Sequence, residues 1–262
     1  MHAPSTAAAS VNKKSILDAV VPELHADSRV LAAWLGGSDA TGRADDMSDI
    51  DLCIIAEDRR AKELRPVLEA IIGRVSPIRV KFDLPEPTWH GFPQSFYQLE
   101  NAPEHLMIDW VIVERSQQNP WMEVERHGVP HVLFDKAAII RESHVDHAAL
   151  RTAAERKIAE LRLKFPIFRH LPLKLARRGL PVDALHFYNA LVLRPLIDLL
   201  RAVHCPDRHD FGPRYLKDDL PRHYDDLCRL SLVSSLDDYE WMVELASRLF
   251  DAALREHDAR KK

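Results

Sequence analysis

Two aspartates one residue apart, Asp49 and Asp51, stand at the head of a short apolar run, residues 52–55, and ten residues separate them from the bend Gly36-Gly37-Ser38. Side chains alternate faces along a strand, so Asp49 and Asp51 share one face while Ile50 and Leu52 turn to the core. Their Cα atoms are then roughly 6.5 Å apart, two strand rises. At that spacing both carboxylates reach one metal ion, and two acids on one face call for a cation between them. A further acid, Asp109, sits alone inside the apolar stretch HLMIDWVIVE of residues 105–114. Burying such a carboxylate is costly unless it is paired or bound to a cation.

The elements that must hold these acids follow from periodicity. Residues 13–25 have apolar positions at helical spacing, interrupted by Pro22, and lead into a strand at 29–35. After the acidic pair, residues 59–74 read as an amphipathic helix with Leu64, Val67, Leu68, Ile71 and Ile72 on one side and Pro66 as a kink or first-turn residue. Residues 78–82 alternate as a short strand, 85–103 read as a turn-rich insert with four prolines, and 105–114 and 129–134 as further strands, the last at an edge. From Asp146 only helical periods remain, over 150–165, 182–203 and 235–256, with Ser235 or Asp237 as the last N-cap. The residues between the second and third pack as a turn and short helix. The expectation is an α+β fold: a first domain over 1–145, a mixed sheet with flanking helices, and an all-helical domain over 146–262.

Composition narrows the class. At 262 residues and 46% hydrophobic content the chain has enough apolar mass for a packed core. The first fourteen residues lack a continuous apolar segment of the secretory kind, and no run approaches a membrane span. Three scattered cysteines argue for a reducing cytosol rather than a disulfide framework, and the fourteen histidines show no zinc-site spacing. Lysine and arginine number 15 against 23 aspartate and glutamate over residues 1–150 (net −8), 9 against 2 over 151–178 (net +7), and 12 against 15 over 179–262 (net −3). One basic segment therefore joins two acidic regions.

The stretch WLGGSDATGRADDMSDIDLCII, residues 34–55, resembles the nucleotidyltransferase superfamily that includes DNA polymerase β. Its signature is a hydrophobic residue, glycine, then glycine or serine, followed after nine to thirteen residues by Asp-hydrophobic-Asp. Two registers satisfy it, Gly36-Gly37 with eleven residues before Asp49 and Gly37-Ser38 with ten. The second is preferred, because GSDATG and SDIDL together are similar to the aminoglycoside and lincosamide enzymes; Gly36 then stands where the pattern has a hydrophobic residue. The resemblance implies a polymerase β-like core, two Mg²⁺ ions shared by Asp49 and Asp51, and a third acid from a neighbouring strand. Asp109 is the choice for that acid, as metal ligand and general base, with Asp83 its competitor. Gly37 would let the backbone approach phosphates, and Ser38 would donate to a phosphate oxygen. Gly42 reads as a loop residue needing positive φ.

What the resemblance implies for function is transfer of a nucleoside monophosphate, AMP from ATP or another NTP, to a hydroxyl of a small-molecule acceptor on the side of the helical domain, by a cytoplasmic enzyme. Alternatives in other classes are a toxin–antitoxin enzyme acting on tRNA or a partner protein, and a non-catalytic nucleotide-binding relative. The basic segment bears on the choice: Arg156, Lys157, Arg162 and Lys164 either contact phosphates or form a solvated helix face with pairs such as Glu160 and Lys164. Similarly, Trp89, His90, Phe92, Phe96 and Tyr97 either wall a ligand or bury themselves on their own sheet.

Overall fold

The structure, a computed structural model, describes residues 11–117 and 120–261; most of the N-terminal stretch read for a signal lies outside them. It divides into two compact units, residues 1–144 and 145–262.

In the first unit, α1 (Lys13–Ala26) begins at Asn12, whose side chain accepts from the Ser15 amide while Ser15 Oγ accepts from the Asn12 amide. Burial of Ile16, Val20 and Leu24 carries this helix straight through Pro22, where an interruption was expected. That apolar face offsets the missing hydrogen bond of the proline. β1 (Val30–Leu35) is buried throughout. A short helix, α2 (Gly37–Ala40), leads towards β2 (Ile50–Ala56). Then follow α3 (Ala61–Val75), β3 (Ile78–Asp83), β4 (Gln94–Leu99), β5 (Ile108–Glu114), a single turn α4 (Val124–His127) and β6 (His131–Asp135).

These strands form one mixed sheet in the order β3-β4-β5-β2-β1-β6. β2 and β5 run parallel, and each of the other pairings is antiparallel. One face packs Ile50, Leu52, Ile54, Ile108, Trp110 and Ile112 against α1 and α3. The opposite face is covered by smaller clusters, Cys53 and Ile55 with Trp34 and Met122, and Val111 and Val113 with Phe92. A thinner apolar cover on that face leaves room for polar groups.

β4 corrects the reading of 85–103 as an insert of turns. Ser95, Tyr97 and Leu99 are buried and alternate with half-buried Gln94, Phe96 and Gln98, the period of a strand with one face in the core. Flanking prolines at 85, 87, 93 and 103 hid a pattern only six residues long.

The second unit is helical: α5 (His147–Phe168), α6 (Leu171–Arg177), α7 (Pro181–Tyr188), α8 (Arg194–His204), α9 (Leu216–Asp219), α10 (Tyr224–Leu230) and α11 (Asp238–Ala259). Residues 182–203, expected as one helix, are α7 and α8 joined by a π-helical segment, Asn189–Leu193, with Pro195 just beyond it. The wider turn accommodates a residue that has no N–H to donate. Phe165 stacks on Phe250 at 3.9 Å in the core. Fully buried Arg201 donates to the Gly212 carbonyl at 2.6 Å, to Asp219 Oδ2 at 2.8 Å and to the Arg214 carbonyl, holding the loop before α9 in place. Among the described residues no helix is long and apolar enough to cross a membrane.

Candidate active site

The parallel register of β2 and β5 decides where the acids go. Ile50 pairs with Ile108, Asp51 with Asp109 and Leu52 with Trp110. Because Ile50, Ile108, Leu52 and Trp110 all enter the core under α1 and α3, the two aspartates project together from the other face. Adjacent strands are about 4.8 Å apart. Asp109 is therefore a direct neighbour of Asp51. Asp83 lies elsewhere: it pairs in register with Ser95, whose partner on β5 is Trp110, and so belongs to the opposite face. There it accepts from Ser95 Oγ at 2.6 Å and meets Lys81 at 3.1 Å.

Asp49 sits just before β2 rather than within it. Its Oδ1 accepts from the Met107 amide at 3.0 Å, while the Ile50 amide donates to the Met107 carbonyl at 2.9 Å, so the entries of β2 and β5 are tied together. Crowding of the acids shows in their protonation. Burial, then the charge of Asp49, raises the Asp51 carboxyl above its ordinary range. Burial is also the main cause that brings Asp109 from 3.8 to about 6, with Asp51 and Asp49 adding to it and a hydrogen bond from Gln94 opposing it.

The glycine bend meets the acids directly. Gly37 has φ +52°, and a Cβ built on it would fall 1.8 Å from Asp51 Oδ2. Only glycine allows both the left-handed backbone and that approach. The bend is anchored by the Gly36 amide, which donates to the Asp51 carbonyl at 2.9 Å. Among the described residues Ser38 Oγ, which is buried, has no hydrogen-bond partner, an unusual state for a hydroxyl. Gly42 takes φ +68° in open space, as expected of a loop glycine.

Lys13, which sequence reading left as an ordinary helical residue, reaches into this region. Its Nζ donates to Asp39 Oδ2 at 2.6 Å and to the Asp49 carbonyl at 2.9 Å, linking α1, α2 and the entry to β2. No periodicity signals such a role at the first position of a helix. Lys13→Met is expected to lower the stability of the first unit by about 1–3 kcal/mol, since the partly buried Asp39 loses its cationic partner. Urea unfolding measures this, and an unchanged midpoint would mean that solvent screens the pair.

Gln94 was missed for the same reason as β4. It donates through Nε2 to both oxygens of Asp109, at 2.8 and 2.9 Å. The five aromatic-insert residues do not form one wall. Tyr97 is buried on the far face, Phe96 stacks on Phe82, Phe92 is buried, and Trp89 is 87% exposed.

Residues 17–98 match the family model described as nucleotidyltransferase domain. The chain carries a nucleotidyltransferase domain. It is an enzyme of the nucleotidyltransferase kind, and the matched stretch spans the glycine bend, Asp49 and Asp51 but stops short of Asp109. No curated protein matches the chain. Among solved structures it is similar to an aminoglycoside 6-adenyltransferase from Bacillus subtilis, with 14% identity over 95% of this chain and 91% of that one and a TM-score of 0.40. It is also similar to a STING-associated CdnE c-di-GMP synthase from Capnocytophaga granulosa, at 13% identity over 94% and 84% and a TM-score of 0.27.

Whether this nucleotidyltransferase domain suits magnesium can be judged from its donors. Three carboxylates would supply hard oxygen ligands, and the Ser38 hydroxyl and the bare Gly37 backbone would form a cradle for a phosphate. Type and charge fit. Among the described residues the side-chain rotamers as they stand do not bring three ligands close enough to close a metal site. Asp49 is held by the Met107 amide, so loading would require its carboxylate to adjust.

Proposed function

We propose that the protein is a magnesium-dependent nucleotidyltransferase that moves AMP from ATP to a hydroxyl of a small acceptor, with the 1–145 region as catalytic domain and the 146–262 region on the acceptor side. The observation that carries this reading is the register pairing of Asp51 with Asp109 beside the Gly37 bend. Asp49, Asp51 and Asp109 would hold the metal. Bound magnesium would neutralise the triphosphate and leave the α-phosphorus open to attack. Gly37 admits the triphosphate to the backbone, and Ser38 Oγ donates to one of its oxygens. Asp109, the acid beside Asp51, takes the proton of the acceptor hydroxyl. The acceptor oxygen bonds to the α-phosphorus as the bond to the β-phosphate bridging oxygen breaks, and pyrophosphate leaves with that electron pair.

The acceptor class, a cationic aminoglycoside-type molecule, rests on the likeness of the GSDATG and SDIDL stretches to antibiotic-modifying enzymes and on the net −8 of residues 1–150. The basic segment gives little support to a nucleic-acid acceptor. Arg162 pairs with Asp258 at 2.6 Å and Lys164 with Glu160 at 2.6 Å, which spends two of its four named charges locally. Its seat of action is proposed to be the cytoplasm, in keeping with three free cysteines.

Incubation with ATP, Mg²⁺ and a panel of aminoglycosides, lincosamides, nucleotides and tRNA, read by mass spectrometry, tests the reading. An adduct heavier by one AMP on a small cationic acceptor is expected, and modification of tRNA alone would replace the acceptor class. In the same assay Ser38→Ala is expected to weaken ATP binding by about tenfold, the worth of one charge-assisted hydrogen bond. Stability should hold or rise in this variant, because the buried hydroxyl has no partner among the described residues. A loss of stability with unchanged ATP affinity would assign Ser38 to the scaffold.

A further inference from the structure

The carboxylate pattern asks nothing of Gln94 or His90, yet a directed series of hydrogen bonds runs through both to Asp109. The chemistry of each group fixes the direction. The Phe92 backbone N–H can only donate, and it meets His90 Nδ1 at 3.1 Å. Nδ1 is then the acceptor nitrogen of a neutral ring, and the ring proton sits on Nε2. Nε2 lies 2.8 Å from Gln94 Oε1, so the oxygen end of the amide accepts from the histidine. The nitrogen end is left for Asp109, whose carboxylate can only accept.

Packing holds the donor end of this series. His90 stacks on Phe92 with ring centroids 5.6 Å apart and meets the edge of Trp121 at 5.3 Å. Thr88 Oγ1 donates to the Phe92 carbonyl at 2.7 Å and closes the turn that carries the ring. At the other end, a single nitrogen 2.8 and 2.9 Å from the two oxygens of Asp109 sits at the mouth of the carboxylate. That is where a cation would lie if both oxygens chelated it. With one lone pair of each oxygen taken, Asp109 is left with single-oxygen contacts. A small octahedral cation accepts that mode, whereas a larger one commonly takes carboxylates by both oxygens.

We propose that Gln94, oriented by His90, is a positioning residue of the transfer site that fixes the plane of Asp109 and confines it to single-oxygen contacts. The proposal rests on the reading of Asp109 as the third site carboxylate. Its consequence is a preference for small cations that belongs to the insert carrying His90 rather than to the acids themselves.

The test needs no acceptor. Mn²⁺ binding to the full chain with ATP is followed by electron paramagnetic resonance, with Ca²⁺ as competitor, in wild type, Gln94→Leu, His90→Asn, His90→Gln and the Gln94→Leu/His90→Asn double variant. Gln94→Leu is expected to weaken Mn²⁺ binding by about 10–100-fold, the usual effect of removing a partner of a metal ligand, and to narrow the preference over Ca²⁺. His90→Asn keeps an acceptor for the Phe92 amide but cannot reach Gln94, and should lose affinity in the same sense. His90→Gln, whose amide nitrogen replaces Nε2, should bind as wild type does. The double variant should be no weaker than Gln94→Leu alone, because the two residues act in series. Imidazole ¹⁵N shifts should report the Nε2–H tautomer of His90 in the metal-free protein. Should Gln94→Leu misfold, the contrast between His90→Asn and His90→Gln decides. Wild-type affinity and selectivity in Gln94→Leu, with wild type binding Mn²⁺ and ATP, would overturn the positioning role alone. Failure of wild type itself to bind Mn²⁺ with ATP would overturn that role together with the function proposed above.

Discussion

Asp109→Asn is expected to abolish nucleotidyl transfer and, at the same time, to make the protein more resistant to denaturation above pH 6. Both effects come from one cause, a carboxylate held where its charge is unwelcome. Asp109 titrates at about 6 in the folded chain against 3.8 for an ordinary aspartate. A raised pKa means that the folded state binds the proton more tightly, so its contribution is fully present below about pH 4 and is lost as pH rises through 6. At pH 7–8 the penalty is on the order of 3 kcal/mol at most, from a difference of about two pKa units. Asparagine removes the charge and keeps an oxygen that can accept from Gln94 Nε2. Urea unfolding from pH 4 to 8 should therefore show wild-type stability falling across that window and the variant falling by less. Transfer should drop by on the order of a thousandfold. Parallel pH profiles for the two proteins would show that Asp109 carries no buried-charge penalty, and residual turnover near wild type would remove it from the chemistry.

Gly37→Ala should be a severely damaging single methyl. A non-glycine residue at φ +52° costs about 1–2 kcal/mol in backbone sterics alone. Here the added carbon also falls 1.8 Å from Asp51 Oδ2 and 2.6 Å from its Cγ, so either the bend or the carboxylate must move. Neither moves freely, because the Gly36 amide is bonded to the Asp51 carbonyl. A loss of about 2–4 kcal/mol in stability is expected, with transfer reduced as far as in Asp51→Asn. Gly42→Ala is the matched control: φ is +68° but nothing lies within 4 Å, so it should show only the backbone cost and keep its activity. Equal activity losses in the two variants would make backbone conformation, not proximity to Asp51, the deciding factor.

The sheet and the acidic pair were legible because they depend on short-range patterns. Alternation around Ile50 and Leu52, the glycine bend ten residues earlier and the apolar run around Asp109 each lie within one element. That Asp109 rather than Asp83 faces Asp51 was open in the sequence, since it turns on the parity of two strands and on β4 lying between β3 and β5. β4 itself was obscured by prolines, and with it went Gln94. Lys13 was out of reach for another reason: its partners Asp39 and Asp49 are 26 and 36 positions away, and nothing local encodes such a contact. In the second unit α6 was missed, a seven-residue helix too short to show a repeat.

The placement of β5 between β2 and β4 has a consequence for how the chain acquires its chemistry. A polypeptide grown as far as Leu99 already contains the bend, the Ser38 hydroxyl and the first two acids, but it has no neighbour for β2 on the side that matters. The bond from Met107 to Asp49 closes over 58 positions, and contacts of that span form slowly because the loop must lose its freedom first. Competence therefore arrives with the last central strand to be synthesised. Until then Asp49 and Asp51 stand beside an edge of β2 that stays open until β5 docks.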